Sequence, residues 1–209
     1  MAIWRFVDFC VPEAQHLADL TGVVADLRAV ESLCDRLLSI GLPDTVEKSE
    51  LAEALCADAL VKYGRTIASG VRAGLTEEHC SRLSAEHAEW HQYFKNLRDK
   101  WVAHSVNTFE ENTVVAYLVP PERGPKHVSS ISVHSRRVST LSESAIVTLK
   151  DVAVALRTIV SAEVEDENQR VLTYARGLAT GPLYESDSRA VELPSFSEAG
   201  KRRRKFGDA

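Results

Sequence analysis

Apolar residues recur at intervals of three and four through most of the first hundred positions, and this pattern decides the fold class. Leu17, Leu20, Val24, Leu27, Val30, Cys34 and Leu37 fall on one stripe of an α-helix running from Pro12 to Ile40. Gly41 and Pro43 stop it. A second helix opens at Asp44, whose carboxylate can cap free amides while Glu47 reaches back. It continues through Leu51, Leu55, Leu60, Tyr63, Ile67 and Val71 to about Gly74. Thr76, with Glu77 and Glu78 behind it, opens a third helix whose stripe is Leu83, Trp90, Phe94, Leu97 and Trp101, ending near His104.

The period then changes from three or four to two. TVVAYLVP and HVSSISVHSRRV are rich in β-branched residues and are separated by PERGP, so the segment 113–138 reads as a β-hairpin. After Thr140 and Glu143, a second candidate capping box, Ile146, Leu149, Val152, Val154, Leu156, Ile159 and Val160 restore helical spacing to about Leu178. Four amphipathic helices bury their stripes most simply against one another. The expected fold is therefore all-α, a four-helix up-and-down bundle over residues 1–180 with a β-hairpin inserted between the third and fourth long helices. Residues 181–209, rich in Gly, Pro, Ser and charge and ending in KRRRKFGDA, read as a flexible basic tail. No internal repeat is visible.

Composition bounds the function. The 209 residues carry 25 Lys and Arg against 30 Asp and Glu, a net charge of −5. This acidity opposes non-specific coating of nucleic acid. With 44% hydrophobic and 26% charged residues, a real core can be buried and wholesale disorder is excluded. No stretch approaches the roughly 18 uncharged apolar residues of a membrane span, and Arg5 and Asp8 interrupt the apolar start. The expected setting is cytoplasmic, away from membrane. Cys10, Cys34, Cys56 and Cys80 form no CxxC pair and read as small buried hydrophobes.

The chemistry concentrates in NLRDKWVAHSVN, Asn96 to Asn107. Arg98 offers a planar fork of donors that matches phosphate oxygens, Lys100 adds positive charge, and His104 can exchange a proton near neutral pH. The second helix supplies Lys62, Arg65 and Arg72 with no acid between Val61 and Arg72. Two locally basic stretches in an acidic protein point to an anion site between them. Six residues at about 100° each leave Arg98 and His104 about 120° apart around a regular helix. Either the helix distorts near His104, or the site is assembled from two chains.

Arg98, Asp99 and His104, with five residues between Arg and His, resemble the motif of the HEPN superfamily, helical-bundle proteins many of which are metal-independent ribonucleases. The flanking LRDKWVAHSVN and the second-helix LVKYGRTIASGVR also resemble uncharacterised bacterial members, so the likeness covers about Leu51 to Leu118. The resemblance implies a metal-independent endoribonuclease, a toxin or phage-defence component, that cleaves single-stranded RNA by its own 2′-hydroxyl. His104 would move the proton, Arg98 would stabilise charge on the phosphate, and Asp99 would orient a partner. Arg65, Lys100 and Asn107 would hold substrate. It further implies a homodimer with a composite site, an antitoxin protein as partner, and no cofactor or metal. The alternative is a non-catalytic HEPN-like module that binds RNA, nucleotide or a protein.

Other signals are weaker. His87, Glu89 and His91 read HAEWH, which is not HExxH because the glutamate sits at the wrong offset and no third ligand is evident. Trp90, Phe94 and Trp101 are spaced for core packing rather than for stacking on bases. The run Lys201 to Lys205 reads as solvated tail.

Overall fold

Three long helices bury their apolar stripes against one another: α1 (Gln15–Ile40), α2 (Val46–Ile67) and α5 (Glu143–Arg176). The computed structural model describes residues 6–68, 70–102, 110–137, 140–186, 197, 199–201 and 205–207. A 3-10 turn, Pro12–Ala14, leads into α1, with proline where its missing N–H costs nothing. On α1 the residues Leu20, Val23, Leu27, Val30 and Cys34 are at most 1% exposed, and Leu149, Val152, Leu156 and Val160 of α5 meet them fully buried. Polar pairs along the flank fix the sense of packing. Asp35 meets Lys150, Glu31 meets Arg157, and His16 meets Glu163, so α1 and α5 run antiparallel.

The stripe of α2 differs from the sequence expectation. Its buried residues are Ala52, Cys56, Ala59, Leu60 and Tyr63, while Leu51 is 51% exposed. Gly64 and Thr66 complete this buried face, and Leu51, one residue before Ala52, lies off it. The helix is capped by Thr45, whose Oγ1 accepts from the Lys48 amide at 3.2 Å; Asp44 instead pairs with Lys48 at 2.7 Å. Asp26 of α1 is the charged centre of this interface. Its carboxylate is 9% exposed, with Oδ2 2.8 Å from Arg72 Nη1 and 3.5 Å from Arg65 Nε. Arg72 reaches it by crossing α1 at Gly22, where a Cβ would stand 3.1 Å from Nη1. Asp19, one turn or two earlier, accepts the Ala73 amide at 2.9 Å and so ties down the loop after α2.

The expected third helix is two helices. Thr76 does open α3 (Glu77–Ser81), but the chain breaks and restarts at Ser84, whose hydroxyl accepts from the His87 amide at 3.1 Å to cap α4 (Ala85–Leu97). A serine with a free backbone amide three residues on competes with helix continuation. Helix α4 packs against α2 and α5, and beyond it Arg98–Val102 form a π-helical turn.

Strands β1 (Glu110–Leu118) and β2 (Val128–Arg137) pair antiparallel, with Val114 opposite Val133 and Ala116 opposite Ile131, and with a bulge at Tyr117/Leu118. The hairpin stands where period-2 sequence placed it, with β1 beginning three residues earlier than expected, at Glu110. Its strands pack mainly on each other, leaving Val114, Leu118, Val128, Ile131 and Val133 more than half exposed. Helix α5 starts from Ser142, whose hydroxyl accepts from Ala145, rather than from Thr140. Beyond it lies the short α6 (Thr180–Glu185), and the Phe206 amide donates to Gln15 Oε1 at 2.7 Å. The described chain is thus mostly helical with one small two-stranded antiparallel sheet. Among the described residues no helix is long and apolar enough to cross a membrane.

Removing one partner of a buried ion pair strands the other charge, at a cost of about 3–5 kcal/mol. Arg72→Ala is therefore expected to destabilise the protein by about 3 kcal/mol in denaturant unfolding. Arg65→Ala, which removes a half-exposed partner of the same carboxylate, should cost less than about 1 kcal/mol.

Candidate functional site

The end of α4 is fixed against α2 by two contacts on adjacent α2 residues. Tyr63 is fully buried, and its hydroxyl lies 2.7 Å from His91 Nδ1 while its ring meets Phe94 edge to face. The other ring nitrogen of His91, Nε2, lies 3.5 Å from Cys80 Sγ. The next residue, Gly64, is buried in the last turn of α2. The stem of Arg98 crosses it: a Cβ at position 64 would stand 2.6 Å from Arg98 Cγ and 2.8 Å from both Cδ and Nε. Glycine inside a helix costs about 1 kcal/mol relative to alanine, and here the missing side chain makes room for the arginine.

Past this crossing the guanidinium emerges at the start of the π-helical turn. Arg98 Nη1 donates to Asp99 Oδ1 at 2.8 Å, with the two side chains 38% and 44% exposed. Lys100 is exposed beside them. The structure therefore brings Arg98 and Asp99 together in a solvent-accessible pair. Arg65, proposed as a substrate contact, has Asp26 of α1 as its partner and so turns toward the α1–α2 interface. Arg72 belongs to the loop after α2 and also serves Asp26. His104 and Asn107 lie outside the described residues. The π-helical turn ends at Val102, and the stretch that carries His104 begins after it.

His79, the N3 residue of α3, is 6% exposed and its Nδ1 accepts from the Thr76 amide at 3.0 Å, closing a capping box. Its proton therefore sits on Nε2, which donates to Glu163 Oε2 at 2.7 Å, while Glu163 Oε1 is 3.0 Å from His16 Nε2. One carboxylate thus ties α1, α3 and α5 together beside a cavity of about 220 Å³. Burial pushes the Glu163 carboxyl up, but the bonds from His16 and His79 outweigh it and hold the group below its ordinary 4.5. An imidazole whose Nδ1 accepts an amide proton has no free Nε2 lone pair, so this His–Glu–His arrangement is a structural tie rather than a ligand set. In HAEWH, His91 is 8% exposed and turned to Tyr63. Among the described residues no three His, Cys, Asp or Glu side chains are grouped to hold a metal ion.

Cys34 and Cys56 are fully buried, and burial pushes the Cys34 thiol up to about 12, so both behave as small hydrophobes. Cys10 is exposed and Cys80 half-buried beside His91, which corrects the uniform expectation for the four. Comparison with protein-family models, with curated proteins and with solved structures returned no match. The sequence reading passed over Tyr63 and His91 as a pair, since 28 residues separate them, and over Gly64. An isolated glycine inside a helical pattern was the available signal for the last.

Burial first, and Lys95 second, hold His91 below its ordinary 6.5. The folded protein therefore binds this proton less readily than the unfolded chain. The stability that depends on neutral His91 is fully present above 6.5 and is lost as the pH falls toward the folded-state value. Denaturant unfolding from about pH 7.5 to about pH 5 should show stability declining below 6.5, with a shallower decline in His91→Gln. The Glu163 contribution begins to be lost only below 4.5, outside that window.

Proposed function

We propose that the protein is a metal-independent endoribonuclease of the HEPN type, a toxin or phage-defence component that cleaves single-stranded RNA at a composite site in a homodimer. The observation that carries this reading is a part-exposed guanidinium held at a helix distortion, beside the acid and the lysine of the same motif. In this account α1, α2, α4 and α5 are the four helices of an up-and-down bundle. Arg98 donates to the phosphate on which negative charge develops, and Asp99 orients its fork. His104 takes the proton of the 2′-hydroxyl as its oxygen bonds to phosphorus and passes it to the 5′-oxygen as the P–O5′ bond breaks. Lys100, Arg65 and Asn107 contact the RNA strand, with Arg65 leaving Asp26, which Arg72 still neutralises. The setting is cytoplasmic, and the partner that restrains the activity is an antitoxin protein. A nucleotidyltransferase or antitoxin-like reading frame beside this one would support that assignment.

The test is cleavage of unstructured RNA in the presence of EDTA. Wild type should cleave and leave a cyclic phosphate at the new 3′ end. Proton transfer from a placed side chain contributes about 10²- to 10⁴-fold, so His104→Ala should lose activity by that order while remaining folded. Arg98→Lys should also fail, because an ammonium cannot reproduce the planar fork. If wild type and His104→Ala are equally inert across varied RNAs while both bind RNA or a protein, the non-catalytic binding module replaces the ribonuclease.

A further inference from the structure

We infer that Gly64 is a positioning residue for Arg98: the bare backbone of α2 is the seat across which the arginine stem lies, and it sets the direction in which the guanidinium leaves α4. What that direction is for rests on the ribonuclease reading; the seat itself rests on geometry. A Cβ at residue 64 would meet three consecutive atoms of the stem, Cγ, Cδ and Nε, at 2.6 to 2.8 Å. Real Cβ contacts are not that short, and the nearest of the three atoms is one bond from the Arg98 Cβ, where rotamer freedom is least. Clearing such a Cβ requires either a new side-chain rotamer at Arg98 or a retreat of α4 from α2.

Retreat is blocked at the adjacent residue. Tyr63 holds α4 by its bond to His91 and its packing on Phe94, and both Tyr63 and Phe94 are fully buried. The arginine must therefore give way. Its present course carries Nη1 to Asp99 and leaves the fork partly open to solvent at the π-helical turn. A rotated stem takes the fork away from both. Gly64 thus controls where the donors point without contacting any ligand itself, and a displacement of about 1 Å in such a group can cost about 10²-fold in rate.

A double-mutant cycle of Gly64→Ala and Arg98→Ala, read by thermal unfolding and by RNA cleavage in EDTA, tests this. With Arg98 present, Gly64→Ala should lower Tm by about 5 °C; with Arg98→Ala it should leave Tm unchanged or raise it, because the clash is gone and alanine favours the helix. If Gly64→Ala alone fails to fold, the doubly substituted chain should fold. Cleavage by Gly64→Ala should fall about 10²-fold in kcat with KM little changed, a split that simple destabilisation would not produce. Equal Tm effects of Gly64→Ala in the two backgrounds would overturn the seat, even where Arg98→Ala abolishes cleavage and the ribonuclease reading stands. Strong Tm coupling with wild type and Arg98→Ala equally inert on RNA would support the seat and overturn the ribonuclease reading.

Discussion

The contact between α2 and the end of α4 governs the rest of the candidate site. A buried tyrosine hydroxyl bonded to a buried imidazole fixes the two helices in register, and the glycine that follows the tyrosine admits an arginine stem where any other residue would exclude it. The bond is directional and lies between two buried side chains, so it specifies one relative placement of the helices instead of merely favouring contact. From that placement follow the emergence of the guanidinium at the π-helical turn and its pairing with the neighbouring aspartate. Phe94 packs edge to face on Tyr63, and Trp90 and Tyr93 pack on Phe94 in turn, so an aromatic cluster flanks the polar pair.

A second constraint is electrostatic. The chain carries more acids than bases, and two of its acids, Asp19 and Asp26, are buried on α1. Buried carboxylates need partners, and the end of α2 and the loop after it provide them: the Ala73 amide donates to Asp19, and Arg72 with Arg65 are the counter-charges of Asp26. Arginines that look like an anion-binding stretch in the sequence therefore act first as counter-ions within the fold. Arg98 is in a different situation, since its partner is an exposed neighbour on the same turn. A pair of that kind is worth little in water, so an incoming phosphate can compete for the fork.

How much was legible in the sequence follows from which forces are local. The helical stripes of α1 and α5 could be read because periodic burial leaves a periodic trace, and Leu20 to Leu37 and Leu149 to Val160 are buried as spaced; the place of the hairpin could be read from its β-branched residues and the turn between them. The break at Ser84 and the outward turn of Leu51 could not. The first turns on a serine capping three residues ahead in a segment whose apolar spacing continues unbroken, and the second on a buried face of α2 that runs through the small residues Ala52, Cys56 and Ala59 and leaves Leu51 off it. In the candidate site, Arg98 and Asp99 were singled out from residue type and spacing. Arg65 was assigned to the substrate because its partner Asp26 lies 39 positions away on another helix, beyond what a linear reading connects. The role of Gly64 was hidden for the same reason: its neighbour in space is 34 residues on.

The central claim is that the fork of Arg98 is the group that meets a nucleic-acid phosphate. The most direct measurement is the NMR resonance of the Arg98 Nε–H, assigned by comparison with Arg98→Lys, during titration with unstructured RNA carrying 2′-O-methyl groups so that no strand can be cleaved. The account predicts that this resonance moves to saturation with the RNA, that the Arg72 Nε–H stays in place because Arg72 Nη1 is paired with buried Asp26, and that added salt reverses the shift. An RNA that binds, as judged from other resonances, while the Arg98 signal stays in place would contradict it.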